Sequence, residues 1–318
     1  MSVFPDGPVP APPGAGGRCY QITHQTKYRY SDVVTSSYGR GFLTPRDSPR
    51  QRCLSHHLEI DPGADDSSVS RDGYGNISSY FHVTERHRVL DVTARSVVEV
   101  DAPAPELYAA GAAVLPWELA RPTGPEGALA AEFTLDLMTP EITEDVRAYA
   151  APSFAPGRRL IDVLTDLSGR IFEDFTYRSG STTVSTKVAE VLEEREGVCQ
   201  DFARLAIACL RANGLAASYV SGYLATDPPP GRERMVGVDA THAWAAVWTP
   251  QRDWLGVDPT NDQMVDERYI VVGWGRDYAD VPPLRGIIYT DSESSVIDVA
   301  VDVAPFSATR AGGGVLNA

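Results

Sequence analysis

Hydrophobic and polar positions change their rhythm near the middle of the chain. From Arg18 to about Val100 the segments CYQITHQTKYRY, SHHLEIDP, ISSYFHVTE and LDVTARSVVEV are rich in β-branched and aromatic residues. Turn-forming runs, SPRQ, DPGADD and DGYGN, separate them. Short strands at this spacing predict a sandwich-like β domain. After Gly157 the apolar positions Ile161, Leu164, Leu167 and Ile171 recur at steps of three and four, the period of an amphipathic helix. Ser185 is placed to cap a second helix, KVAEVLEER. A third starts within REGVCQDFARL, with Val198, Phe202, Leu205, Ala206, Cys209 and Leu210 on one face and Asn213-Gly214 as its stop. Strands ASYVSGYL, HAWAAVW and WLGVD follow.

These patterns divide the chain into a flexible leader (1–17), a β-rich domain (18–104), a connecting region with short helices (105–156), an α+β core with C-terminal strands (157–303) and a loose tail (304–318). Composition narrows the function classes. The formal charge of −15 leaves little basic surface for a nucleic-acid partner. No apolar run approaches the roughly 18 residues of a membrane helix, so no membrane partner is expected. The N-terminus has neither a basic nor an apolar signal region, and a cytoplasmic location is expected. The four cysteines, Cys19, Cys53, Cys199 and Cys209, are then free thiols rather than a disulfide framework. No CxxC or HExxH occurs, and His56-His57 would point to opposite faces of a strand, so no metal or other cofactor is expected. The sequence leaves the oligomeric state open.

Candidate chemistry enters with the third helix. Cys199 falls in its first turn, where unpaired backbone N–H groups and the positive end of the helix dipole favour a thiolate. Cys209, on the apolar face of the same helix, is a core residue by contrast. Of six histidines, only His242 lies in the second half of the chain. HAWAAVW and WLGVDPT read as an antiparallel hairpin centred near Gln251, in which paired residue numbers sum to about 502. His242 is then diagonal to Asp258 and on its face, close enough for an imidazole and a carboxylate to meet. A thiol, a base and a carboxylate that orients the base form a nucleophilic set.

The runs REGVCQDFARLAIACLRANGLAASYVSGYL, THAWAAVW and WLGVDPTND resemble the three motifs of the transglutaminase-like cysteine superfamily, with intervals of 43 (242 − 199) and 16 (258 − 242). HQTKYRY, GFLTPRDSPRQ and DGYGN resemble the N-terminal β domain of its bacterial branch, and ERYIVVGWGRDYADVPPLRG the C-terminal segment. The resemblance implies a papain-like α+β core, a helix packed on an antiparallel sheet. In it Cys199 attacks a carboxamide of a protein or peptide substrate, His242 serves as base then acid, and Asp258 orients His242. The products would be those of hydrolysis or transamidation. The backbone N–H of Cys199 would be one oxyanion donor, with Tyr177 near a second. One departure stands out: the family often carries Glu two residues after His-Ala-Trp, where this chain has Ala246. The rival reading is a non-catalytic binding module on the same fold.

Overall fold

The computed structural model describes residues 17–137, 140–226, 241–251 and 253–306. The leader up to residue 16 and the tail from residue 307 lie outside the described residues. Strands β1 (Arg18–Gly41), β2 (Gln51–Asp61), β3 (Asp66–Arg71), β4 (Ile77–Val83) and β5 (His87–Val100) lie in the order β2-β5-β1-β4-β3. They belong to one hydrogen-bonded network of seven strands. The 24-residue β1 is its spine, pairing with β5 along its first half and with β4 along its second. β3, DSSVSR, is exposed at every position, so no hydrophobic pattern announces it.

The connecting region holds single turns of helix, α1 (Glu106–Ala109) and α2 (Gly124–Gly127), among short 3-10 turns. Helix α3 (Glu144–Ala150) follows, its N-cap Thr143 accepting from the Val146 N–H at 3.3 Å. Next come α4 (Leu160–Asp174), β6 (Thr176–Tyr177), α5 (Val188–Glu194), β7 (Glu196–Gly197) and α6 (Cys199–Ala212). Leu164, Leu167 and Ile171 are buried on the inner face of α4 as the periodicity predicts, joined by Leu160 and Val163, while Ile161 is only half-buried. Ser185 does not cap α5. Its hydroxyl bonds Thr183, while the Glu141 carboxylate accepts from the Val188 N–H at 2.8 Å.

The core sheet comprises β8 (Ala217–Leu224), β9 (Thr241–Trp248), β10 (Trp254–Asp258), β11 (Gln263–Met264) and β12 (Tyr269–Gly275) in the order β11-β10-β9-β8-β12. Ala243, Ala245 and Val247 of β9 pack with Leu205, Ala208 and Leu210 of α6 in the main core. The opposite face of β9, Trp244, Ala246 and Trp248, builds a second cluster with Val220, Tyr269 and Trp274. The last strands, β13 (Arg285–Thr290) and β14 (Ser295–Pro305), depart from expectation. Both pair antiparallel with β1, so the chain returns to the N-terminal sheet instead of extending the core. Outward-facing side chains of β14, Val296, Ile297 and Val299 among them, gave no alternation from which its partner could be read.

Two side-chain amides tie the halves together by acting as substitutes for a strand. Gln51 donates to the Val271 carbonyl and accepts from the Val271 N–H, both at 2.7 Å. Asn76 does the same at Trp274, at 2.7 and 3.0 Å. The free edge of β12 is thereby covered.

Buried charge fixes the start of α6 in place. The Arg204 guanidinium, one turn beyond Cys199, donates to Asp277 at 2.9 Å, Glu141 at 3.0 Å and the Thr186 carbonyl at 2.7 Å. Truncating one partner of such a group leaves uncompensated buried charge, at a cost of about 3–5 kcal/mol. Arg204→Ala is therefore expected to lower the urea-unfolding free energy by that order. A loss below about 1 kcal/mol would contradict a structural role for the cluster.

Candidate functional site

Two local features aim the Cys199 side chain. Arg195 closes α5 with a left-handed backbone, φ 56°, which turns the chain sharply into β7. β7 then pairs in parallel with β6, matching Glu196 with Thr176 and Gly197 with Tyr177. From there the chain enters α6 with Cys199 as its first residue. The Asp201 carboxylate holds this corner, accepting from the Val198 N–H at 2.9 Å and the Thr182 hydroxyl at 2.6 Å.

His242 and Asp258 come from neighbouring strands in the register expected from the sequence. The pairs Trp254–Trp248, Leu255–Val247, Gly256–Ala246 and Val257–Ala245 each sum to 502. Nε2 of His242 lies 2.7 Å from Oδ2 of Asp258. Cys199 acts on the same ring through hydrogen bonding and charge. Exposure falls along the row: Cys199 is half-buried, His242 is 9% exposed and Asp258 is fully enclosed. Sulfur thus faces outward and the carboxylate inward.

The carboxylate is held from several sides. Asn261 Nδ2 and the Tyr269 hydroxyl each donate to Oδ2 at 2.7 Å, and the Thr260 N–H donates to Oδ1 at 2.9 Å. Gln263 donates in turn to the Tyr269 hydroxyl. Burial alone would raise the Asp258 carboxyl, but hydrogen bonds from His242, Asn261 and Tyr269 outweigh it and hold the group below the usual carboxylate range. Burial would likewise lower His242, yet hydrogen bonds and charge from Asp258 and Cys199 push it up to about 10. The direction of that shift favours the protonated form of the ring beside the Asp258 carboxylate. Trp244 and Tyr269 enclose it, each ring centred 6.1 Å from the imidazole.

All three residues singled out from the sequence meet in this row. Tyr177 sits beside its outer end: it is 53% exposed, its ring is 6.4 Å from that of Phe202, and the Cys199 charge acts on its hydroxyl. Trp244 and Trp248 are buried, and Trp244 also borders a cavity on the far face of the sheet. Cys209 is fully buried, and burial pushes its thiol up to about 12. Among the described residues, no group of three or more His, Cys, Asp and Glu side chains is placed to hold a metal ion. Among them too, no helix is long and apolar enough to cross a membrane.

Residues 20–99 match the Bacterial transglutaminase-like N-terminal region, and residues 147–259 match the Transglutaminase-like superfamily. The chain belongs to the transglutaminase-like superfamily. A relative in Mycobacterium tuberculosis, an uncharacterized protein, is 72% identical over 298 residues, 92% of this chain and 95% of the relative. A protein-glutamine gamma-glutamyltransferase of Pseudomonas aeruginosa is 37% identical over 79 residues, 24% of this chain and 12% of that protein. The crystal structure of a "Putative Cysteine Protease" from Cytophaga hutchinsonii has the same fold, with a TM-score of 0.67 at 19% identity over 92% of this chain and 95% of that one.

Several residues of this transglutaminase-like site escape a reading of the sequence. Asn261 lies inside the WLGVDPTND motif, but its amide could have faced solvent. Gln263 pairs with Asp258 across the short turn from β10 to β11, whereas Tyr269 belongs to a segment with no chemical signature that only the fold brings to Asp258. Gly222, which pairs with His242, has a steric reason to be glycine: a Cβ there would stand 2.0 Å from the Ile270 carbonyl oxygen.

Proposed function

We propose that this transglutaminase-like protein catalyses cysteine-dependent acyl transfer on a protein or peptide carboxamide, with water as the acceptor. The observation that carries the reading is one imidazole bonded to the enclosed Asp258 carboxylate and within reach of Cys199. A proton held on His242 leaves the sulfur of Cys199 nucleophilic. Sulfur attacks the carboxamide carbon, and the oxygen gains the charge, toward which a backbone N–H in the first turn of α6 would donate a hydrogen bond. As the C–N bond breaks, His242 gives its proton to the departing amine or ammonia. A thioester on Cys199 remains. Water then attacks the thioester, His242 takes its proton, and the carboxylic acid leaves as sulfur regains its charge. Asp258 keeps the ring oriented and its positive charge balanced through both halves.

A primary amine in place of water would give transamidation. Water needs no dedicated pocket, which favours hydrolysis. The test is incubation with a glutamine-rich protein and a fluorescent primary amine. Hydrolysis predicts free ammonia or new chain termini with no incorporated label. Incorporated label would replace water by an amine, and neither product under any tested carboxamide would overturn acyl transfer.

A further inference from the structure

The far side of the core sheet holds a cavity of about 570 Å³, away from Cys199. This is within the range of roughly 300–1,000 Å³ typical of small-molecule sites. Its floor exists because three adjacent strands carry small residues in register. Ser218 of β8 pairs with Ala246 of β9, which pairs with Gly256 of β10. Gly256 cannot grow, since a Cβ there would stand 2.6 Å from Val265. Around this floor stand the rings of Trp244, Trp254 and Trp274, and the N-terminal domain closes it with Pro49, Arg50 and Gln51.

The polar atoms inside do not match an empty apolar space. Ser218 is 0% exposed and its hydroxyl lines the cavity, yet it has no hydrogen-bond partner among the described residues. Nη1 of Arg50 is buried and equally unpartnered. Buried donors left without partners cost free energy, so two at one void point to an acceptor that comes from outside. Arg50 is the only basic residue lining the cavity, and Asp266 there is already paired with Arg268. Glu106 and Asp253 also line it, but both are exposed, at the rim. Indole and aliphatic walls are poor hosts for water alone.

We infer that this cavity is a binding site for a small amphiphilic organic acid, with its apolar body against the tryptophans and its carboxylate on Arg50 and Ser218. Cys199, His242 and Asp258 do not line the cavity, although Trp244 and Tyr269 border both places, and the inference does not depend on the reaction proposed for that row. The ligand's body could be aromatic or a medium-length acyl chain, and both share the anion-on-apolar-body chemistry.

Fluorescence titration tests the inference on the full-length protein. The probes are 1-anilinonaphthalene-8-sulfonate, the uncharged N-phenyl-1-naphthylamine, and decanoate or indole-3-acetate as competitors. One saturable site is expected, and the better competitor shows which body the site prefers. Arg50→Gln should weaken the anionic probe by about tenfold or more, the loss typical of a charge-assisted hydrogen bond, while the uncharged probe keeps its affinity. Ala246→Phe should fill the floor and abolish binding of both probes. Absence of saturable binding to the wild type would overturn the proposal, as would equal losses of both probes in Arg50→Gln. A folded Ala246→Phe protein with wild-type affinity would overturn it as well. If Ala246→Phe fails to fold, the Arg50→Gln comparison decides alone.

Discussion

Cys199→Ala is expected to abolish thioester formation and to lower turnover of any carboxamide substrate by about a thousandfold or more, to the uncatalysed background. The loss should be nearly complete because no other sulfur can take over. Cys209 is sealed in the core, and burial pushes Cys53 up to about 11. Burial raises Cys19 too. The fold should survive, since Cys199 is only half-buried and alanine suits a first helical turn. Mass spectrometry of the protein after brief exposure to an activated acyl ester checks this directly. Wild type should gain one acyl group, on the peptide that contains Cys199, and Cys199→Ala should gain none. Turnover retained in Cys199→Ala would rule out the thioester.

Asp258→Asn is expected to cut turnover by roughly a hundred- to ten-thousandfold while leaving substrate binding near wild type. The amide cannot balance the imidazolium. It would also turn an NH2 or a single carbonyl toward a point where His242, Asn261 and Tyr269 all donate. Stability should change its pH dependence as well. His242 is raised in the folded protein, so its contribution is complete below the ordinary histidine value of about 6.5 and is lost as pH climbs through about 10. Asp258 is lowered, so its contribution is complete above the ordinary aspartate value and vanishes as pH falls through its folded value. Wild type should therefore lose several degrees of melting temperature between about pH 7 and pH 10 that Asp258→Asn does not lose. Parallel melting curves for the two proteins would contradict the coupling.

The features most legible in the sequence were those set by local periodicity. The hairpin register follows from alternation about Gln251, and the observed pairs keep that sum throughout, which is why His242 and Asp258 could be matched across two strands. The predicted face of α6 was only partly legible: Phe202, Leu205, Ala206, Cys209 and Leu210 are buried and Val198 half-buried, but every residue from Asp201 to Arg211 is buried as well. What escaped was decided by tertiary contact. Tyr269 reaches Asp258 only after β12 has docked beside β8, and no spacing encodes that contact. The return of β13 and β14 to β1 pairs residues from 245 (285 − 40) to 285 (305 − 20) positions apart, as in the Thr35 to Tyr289 hydrogen bond. Ala246 was visible as a departure from the family pattern, but its consequence, a floor shared with Ser218 and Gly256, needed the sheet.

The most direct test of the row is the rate at which iodoacetamide alkylates each cysteine at about pH 6, mapped by peptide mass. An imidazolium beside the sulfur predicts that Cys199 reacts at least about tenfold faster than Cys19 or Cys53, and that His242→Ala removes this advantage. Cys209 should remain unmodified. Alkylation of Cys199 no faster than Cys53, or an undiminished rate in His242→Ala, would show that the sulfur and the ring do not act together.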